Sequence, residues 1–210
     1  MTSLAVIVPV KSSGSKSRLS PALSAEQRRA FAASLLKGVI QTVARAGLVG
    51  SCMVVSSDDG ALKTAAGLGA RPVRESGDAG VNAAVRVGMD AARDIDEFLV
   101  LPSDLPLLSV ADIRAVLRLR RRGLEVVVSP SRSFDGTNAL LFPRTPAFPL
   151  SFDADSFWNH LAGAARLRLP VGVCARGGIT FDVDSPADLR SLAETGARTE
   201  SAAIARGAPP

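Results

Sequence analysis

Apolar residues in this chain form short, uninterrupted runs that alternate with polar loops and amphipathic segments. The first run, Leu4 to Val10, is rich in β-branched residues and predicts a strand that is covered on both faces. Ser24 and Gln27 then form a capping-box pattern, which predicts an amphipathic helix extending to about Arg45. The alternation continues and predicts strands at 51–57, 71–74, 98–102, 126–129, 139–142, 169–174 and 180–183, with further helices beginning near residues 58, 79, 109, 156 and 185.

Strands that alternate with helices indicate the α/β class, with a mostly parallel sheet and helices on both faces. The rhythm changes after Glu125, where strands follow one another with fewer helices between them. We therefore expect a small antiparallel excursion that builds the second side of a cleft. The length of 210 residues fits a single domain, predicted over residues 1–197. Residues 198–210 are small and polar and end in Pro-Pro, which predicts a disordered C-terminal tail.

The formal net charge of +5 favours an anionic partner. Aromatic residues make up only 4% of the chain, too few for a surface on which nucleic-acid bases stack. Many arginines, among them Arg114, Arg118 and Arg121, also occur at solvent-facing helical spacing. We therefore predict a small anionic substrate and no nucleic-acid partner.

Cys52 and Cys174 lie in apolar, strand-like runs without CxxC or Cys-His spacing, which predicts buried, unreactive thiols. No apolar run approaches the roughly 18 to 20 residues that span a bilayer. The N-terminus also has no signal-peptide pattern. We expect a cytoplasmic protein without a membrane partner, and the sequence leaves open whether it forms a homodimer.

A polar loop follows the first strand, where open α/β sheets bind their ligands. It contains three cations, Lys11, Lys16 and Arg18, together with small residues such as Ser12 and Gly14. Small residues let backbone amides approach phosphate oxygens, and the cations neutralise phosphate charge. The GxxxxGK[ST] spacing of a P-loop is absent. The loop is a candidate phosphate site, and the alternative interpretation is a solvated basic loop.

Carboxylates follow two other predicted strands. Asp104 comes after a fully apolar strand and lies between prolines, where it could bind Mg²⁺ or cap a turn. Capping is already accounted for by Ser109, which favours the metal. Asp182 and Asp184 occupy alternate positions near the end of another strand, so both can face one cleft. His160 is the only histidine and is expected to be a packing or surface residue, so a hydrolase triad has no basis.

Six motifs occur in one order along the chain: VPVK(x)₄KSRL, GVNAAV, PSDLPLL, DGTNALLF, SFDADSF and TFDVDSPADL. In this order and spacing the chain resembles the 2-phospho-L-lactate and phosphoenolpyruvate guanylyltransferases of coenzyme F-420 biosynthesis. The resemblance covers roughly residues 5–189. It implies a GT-A-like, nucleotide-diphospho-sugar-transferase-like fold. It also implies GTP as donor, Mg²⁺, and transfer of GMP to a three-carbon phospho-acid with release of pyrophosphate.

The resemblance also implies roles for individual residues. It makes Asp104 and Asp184 metal ligands, with Asp182 beside them, and makes Thr137, Asp153 and Ser156 contacts to the acceptor. The predicted nucleotide contacts are Lys11, Ser12, Gly14, Lys16, Arg18, Ser57 and Asn82. The family often has glycine where this chain has Asp153, and a carboxylate there would repel an anionic acceptor unless it turned away or bound metal.

Three alternatives stay open at this point. The acceptor could be phosphoenolpyruvate, 2-phospho-L-lactate or 3-phospho-D-glycerate. The chain could be a nucleotidyltransferase with another acceptor, such as a molybdopterin or a sugar phosphate. It could also be a non-catalytic nucleotide-binding or RNA-binding module, although paired acids would repel an RNA backbone.

Overall fold

The protein is built around one seven-stranded sheet. A computed structural model describes residues 3–11, 16–77, 79–145 and 147–208. The strands are β1 (Leu4–Pro9), β2 (Cys52–Ser56), β3 (Arg71–Arg74), β4 (Glu97–Val100), β5 (Val126–Pro130), β6 (Thr137–Pro143) and β7 (Val171–Val173). Their order across the sheet is β3-β2-β1-β4-β6-β5-β7. Only β6 runs antiparallel to its described neighbours, β4 and β5, which confirms the mostly parallel sheet and the antiparallel excursion.

Strand β1 shows why the sheet is covered on both faces. Its side chains alternate, so that Val6 and Val8 enter one hydrophobic cluster and Ala5 and Ile7 enter another on the opposite face. All four are essentially inaccessible to solvent. The unbroken apolar run therefore supplies both cores, as the sequence predicts for a central parallel strand.

Helices cover the two faces. They are α1 (Ala25–Arg45), α2 (Asp59–Gly67), α3 (Val81–Ala91), α4 (Val110–Arg121) and α5 (Ser156–Arg166). Buried residues of α1, α2 and α4 belong to the cluster that contains Val6, and those of α3 and α5 belong to the cluster that contains Ile7. Gly88 lets α3 approach β1 closely, because a Cβ there would lie 3.0 Å from Ile7. The predicted capping boxes at Ser24 and Ser109 are both formed.

The C-terminal residues differ from the expected disordered tail over 198–210. Glu200–Arg206 form helix α7, whose N-cap Thr199 accepts a hydrogen bond from the amide of Ala202. Ala202 and Ala205 are buried in a third cluster with residues of α1 and of α6 (Pro186–Glu194). Small side chains that suggest disorder by composition here allow close helix packing.

The predicted strand at 180–183 is wrong. Residues 181–184 have no regular secondary structure in the described chain, although their side chains still alternate. Phe181 and Val183 pack into the third cluster, next to helices rather than next to a strand of the sheet. Asp182 and Asp184 are consequently left on the other side, where both line a cavity.

Two further predictions from composition can be compared with the structure. Cys52 and Cys174 are buried free thiols, as predicted, and burial raises the pKa of Cys52 to about 12. Within the described residues, no helix has the length and apolar character needed to cross a membrane.

Candidate active site

A cavity of about 670 Å³ opens at one edge of the sheet. Strands β1 and β4 end at this edge, and the antiparallel β6 begins there, since Val100 at the end of β4 pairs with Leu140 near the start of β6. Loops after two strands and the first residues of a third therefore meet. The described lining residues are Pro9, Lys11, Lys16, Ser17, Arg18, Val81, Pro102, Ser103, Asp104, Gly136, Thr137, Asn138, Phe152, Asp153, Ser156, Asp182 and Asp184.

Lys16 joins two of the predicted acids. Its Nζ donates to Oδ2 of Asp104 at 3.0 Å, to Oδ1 of Asp184 at 2.7 Å and to the backbone carbonyl of Val183 at 2.7 Å. Burial by itself lowers the pKa of Lys16, but the charges of Asp104 and Asp184 outweigh it and raise the pKa above its usual value. The ammonium group is therefore fully charged, and both carboxylates point at one position suited to a cation.

Asp182 lies beside this pair. Nδ2 of Asn138 donates to its Oδ1 at 3.1 Å. Burial raises the pKa of Asp182, and the negative charges of Asp104 and Asp184 raise it further, while the hydrogen bond from Asn138 opposes the shift. The negative charges of Asp104 and Asp184 thus act on Asp182, and a positive ion near the three carboxylates lowers the electrostatic energy of the group.

The predicted phosphate-binding residues are partly brought together. Lys11 and Arg18 are exposed and line the same cavity as Lys16. Ser12 and Gly14 lie outside the described residues. Ser57 is absent from the described lining, and its carbonyl instead accepts a hydrogen bond from Arg74. The cations of the predicted loop thus have access to a ligand in this cavity, whereas the nucleotide contact predicted for Ser57 stays a prediction.

The predicted acceptor residues Thr137 and Ser156 lie together at the start of β6 and of α5. Oγ of Ser156 donates to Oγ1 of Thr137 at 3.1 Å, and Nδ1 of His160 lies 3.0 Å from the same oxygen. His160 was expected to be a packing or surface residue, and its complete burial makes it a packing residue. Burial lowers the pKa of His160 to about 4, so the imidazole is neutral near pH 7.

Asn82 and Asp153 are in direct contact. Nδ2 of Asn82 donates to Oδ2 of Asp153 at 2.9 Å, and Oδ1 of Asn82 accepts from the backbone amide of Phe152 at 2.8 Å. Asp153 and Phe152 line the cavity, whereas Asn82 does not. Asn82 therefore ties the start of α3 to the loop before α5, and its contact with the nucleotide stays a prediction.

Several lining residues were not predicted, and Asn138 is the most informative. It is a buried polar residue of β6, next to Thr137 and directly before the apolar residues 139–142, and a buried amide requires a hydrogen-bond partner. Asp182 is that partner. The signal in the sequence was an amide directly before an apolar strand segment, but the identity of its partner depended on the fold.

Comparisons with known proteins match this architecture. A family model described as guanylyl transferase CofC like matches residues 4–206. A phosphoenolpyruvate guanylyltransferase of Rubrobacter xylanophilus is 40% identical over 197 residues, covering 92% of this chain and 95% of the relative. A 2-phospho-L-lactate guanylyltransferase of Methanothermobacter thermautotrophicus is 32% identical over 193 residues, covering 91% of this chain and 84% of the relative.

A solved structure from Desulfovibrio desulfuricans, described as a nucleotide-diphospho-sugar transferase, superposes with a TM-score of 0.78. It covers 99% of this chain and 95% of the other at 19% identity, so it bears on the fold alone and confirms the predicted fold class. The family resemblance indicated by the six sequence motifs is confirmed by the family model and the two relatives. The chain belongs to the CofC-like guanylyl transferase family.

Proposed function

We propose that the protein transfers GMP from GTP to a three-carbon phospho-acid, with release of pyrophosphate, in coenzyme F-420 biosynthesis. The observation that most supports this is the composition of the cavity: three cations, four acids and four hydroxyl groups line one space. Phosphoenolpyruvate is the favoured acceptor, because the relative at 40% identity is a phosphoenolpyruvate guanylyltransferase. 2-Phospho-L-lactate is the alternative acceptor suggested by the relative at 32% identity.

The donor side of this reaction falls to the basic residues near β1. Lys11 and Arg18 are exposed in the cavity and can pair with triphosphate oxygens. Lys16 is held by carboxylates in this structure and can turn its ammonium group toward a phosphate once a second cation neutralises them. We assign the triphosphate of GTP to these three side chains.

Asp104 and Asp184 fit a magnesium ion, with Asp182 beside them. The two carboxylates already face a common cation, the ammonium group of Lys16. No group of three or more ligating side chains forms a ready-made metal cage among the described residues, and Mg²⁺ typically uses one or two carboxylates and completes its shell with phosphate oxygens and water. When bound, Mg²⁺ would neutralise the charge that the two anionic substrates bring together.

The chemistry requires little of the side chains beyond placement and charge. A phosphate oxygen of the acceptor bonds to the α-phosphorus of GTP, and the bond from that phosphorus to the oxygen that joins the α- and β-phosphates breaks, so that the β- and γ-phosphates leave as pyrophosphate. The attacking oxygen is already anionic, so no general base is needed. Cationic side chains reduce the repulsion between the substrates, and Thr137 and Ser156 can hold the acceptor in line.

The test is to incubate the protein and Mg²⁺ with each nucleoside triphosphate and each of phosphoenolpyruvate, 2-phospho-L-lactate and 3-phospho-D-glycerate, and to measure pyrophosphate. We expect pyrophosphate release with GTP and phosphoenolpyruvate. If none of the three acids supports pyrophosphate release, the proposal is refuted. Asp104→Ala should abolish release, whereas Asp90→Ala, an exposed site outside the cavity lining, should not. Near-normal turnover of Asp104→Ala would refute the metal assignment.

A further inference from the structure

A short chain of hydrogen bonds runs from the loop before α5 to the cavity. The backbone amide of Ser151 donates to Nε2 of His160 at 3.1 Å. Nδ1 of His160 lies 3.0 Å from Oγ1 of Thr137, and Oγ of Ser156 donates to the same Oγ1 at 3.1 Å. His160, Thr137 and Ser156 are all at least 94% buried, because their relative exposures are 0%, 6% and 2%.

The contact with Ser151 determines the tautomer of His160. A backbone N–H can only donate, so Nε2 must offer its lone pair and has no hydrogen. The rings of Phe148 and Phe152 flank the imidazole, with centroids 6.2 Å and 4.8 Å away, and this apolar site favours the neutral form. A neutral imidazole without a hydrogen on Nε2 has it on Nδ1, and Nδ1 then donates to Thr137.

Thr137 consequently receives two hydrogen bonds on one oxygen. A hydroxyl group has two lone pairs and one hydrogen. His160 and Ser156 occupy both lone pairs, so the hydrogen must find an acceptor elsewhere. Thr137 lines the cavity, and the cavity is the place where such an acceptor can bind.

We propose that His160 is a positioning residue that makes Thr137 an obligatory hydrogen-bond donor to the acceptor substrate. In the proposed function, on which the identity of this ligand depends, the group that Thr137 contacts is a carboxylate or phosphate oxygen of the phospho-acid. Asp153, Asp182 and other acids in the lining repel such an anion. A hydroxyl group whose hydrogen is directed into the cavity therefore stabilises the bound anion more than a hydroxyl group that can rotate and act as an acceptor.

The tautomer can be observed directly, because His160 is the only histidine in the chain. Histidine labelled with ¹⁵N gives one pair of ring-nitrogen signals, which distinguish Nδ1–H, Nε2–H and imidazolium. We expect neutral Nδ1–H near pH 7, whereas free histidine favours Nε2–H in water. An Nε2–H tautomer or an imidazolium ion at that pH would overturn the proposal.

Substitutions at His160 separate positioning from simple anchoring of the loop. His160→Asn retains a donor near the position of Nδ1, His160→Gln retains an acceptor near that of Nε2, and His160→Phe keeps the ring but loses both bonds. We expect His160→Phe and His160→Gln to raise the KM for phosphoenolpyruvate about 10-fold to 100-fold, the usual effect of losing a hydrogen bond to a charged group. The KM of His160→Asn for phosphoenolpyruvate should lie close to that of the unsubstituted protein, and the KM for GTP should be unchanged in all three variants. Restoration by glutamine and not by asparagine would show that His160 only anchors Ser151.

A double substitution tests whether His160 acts through Thr137. Thr137→Val removes the donor, so adding His160→Phe should raise the KM for phosphoenolpyruvate no further. Additive increases would overturn the proposal. Failure of the native protein to use any acid would refute the proposed function, and the tautomer measurement would still decide the state of His160.

Discussion

Replacing Lys16 with methionine removes the ammonium group between Asp104 and Asp184 while keeping most of the side-chain volume. The side chain of Lys16 is 10% exposed, and those of Asp104 and Asp184 are 24% and 49% exposed. This arrangement lies between a surface ion pair, worth up to about 1 kcal/mol, and a buried one, whose disruption costs about 3–5 kcal/mol. We therefore expect the free energy of unfolding to fall by about 2 kcal/mol.

Thermal unfolding measures this loss. For a chain of this size each kcal/mol changes the Tm by about 2–4 °C, so Lys16→Met should unfold about 4–8 °C lower. Lys37→Met is the matched control, because Lys37 pairs with Glu200 at 2.9 Å and both side chains are about half exposed. Its Tm should change by less than about 4 °C. Equal Tm values for the two variants would contradict the reasoning.

Magnesium provides the second part of the assay. Without Lys16, the carboxylates of Asp104 and Asp184 face each other with no cation between them. Mg²⁺ added without nucleotide should therefore raise the Tm of Lys16→Met by more than it raises that of the native protein. The same Mg²⁺ response in both proteins would show that the two acids do not face a common cation site.

Three further predictions concern pH, capping and thiol reactivity. Burial lowers the pKa of His160 from 6.5 to about 4, so the unfolded chain binds the proton first. As the pH falls from 6.5 to 4, the free energy of unfolding of the unsubstituted protein, measured with urea, should decrease by on the order of 3 kcal/mol more than that of His160→Phe. The same pH dependence in both proteins would refute this. Thr199→Ala should cost about 1 kcal/mol, visible as faster amide exchange confined to α7; unchanged exchange there would argue against the cap. Cys52, 1% exposed, should react with a thiol reagent only after unfolding, and rapid labelling of the native protein would contradict its burial.

Local patterns allowed much of the fold to be predicted. The run from Leu4 and the caps at Ser24 and Ser109 depend on neighbouring residues only, and each formed as expected. The helix at Glu200–Arg206 was missed because its small residues are stabilised by burial against α1 and α6, a contact that composition does not show. The strand predicted at 180–183 failed for a similar reason, since Phe181 and Val183 pack against helices.

The candidate site was predictable as a set of residue types and less so as a set of contacts. Lys16 and Asp104 come after strands β1 and β4, so their approach at one edge follows from the α/β pattern, whereas Asp184 reaches the same edge from a segment that is not a strand. The bridge that Lys16 forms could not be predicted, because Asp104 and Asp184 lie 88 and 168 positions away from Lys16 in the sequence. The sequence left open whether His160 is buried or at the surface, because its burial and its bonds to Thr137 and Ser151 depend on how α5 packs against the sheet.

The antiparallel direction of β6 has a consequence for how acceptor choice can change in evolution. Because β6 begins at the edge where β1 and β4 end, Thr137 reaches the cavity from a separate part of the sheet than Lys11, Lys16 and Arg18. With the substrate contacts that we propose, substitutions in the turn before β6 or the loop before α5 would alter the space for the acceptor while the loop after β1 keeps its sequence. The two sides of the cavity could then diverge independently, and one scaffold could acquire new acceptors while it keeps the same nucleotide.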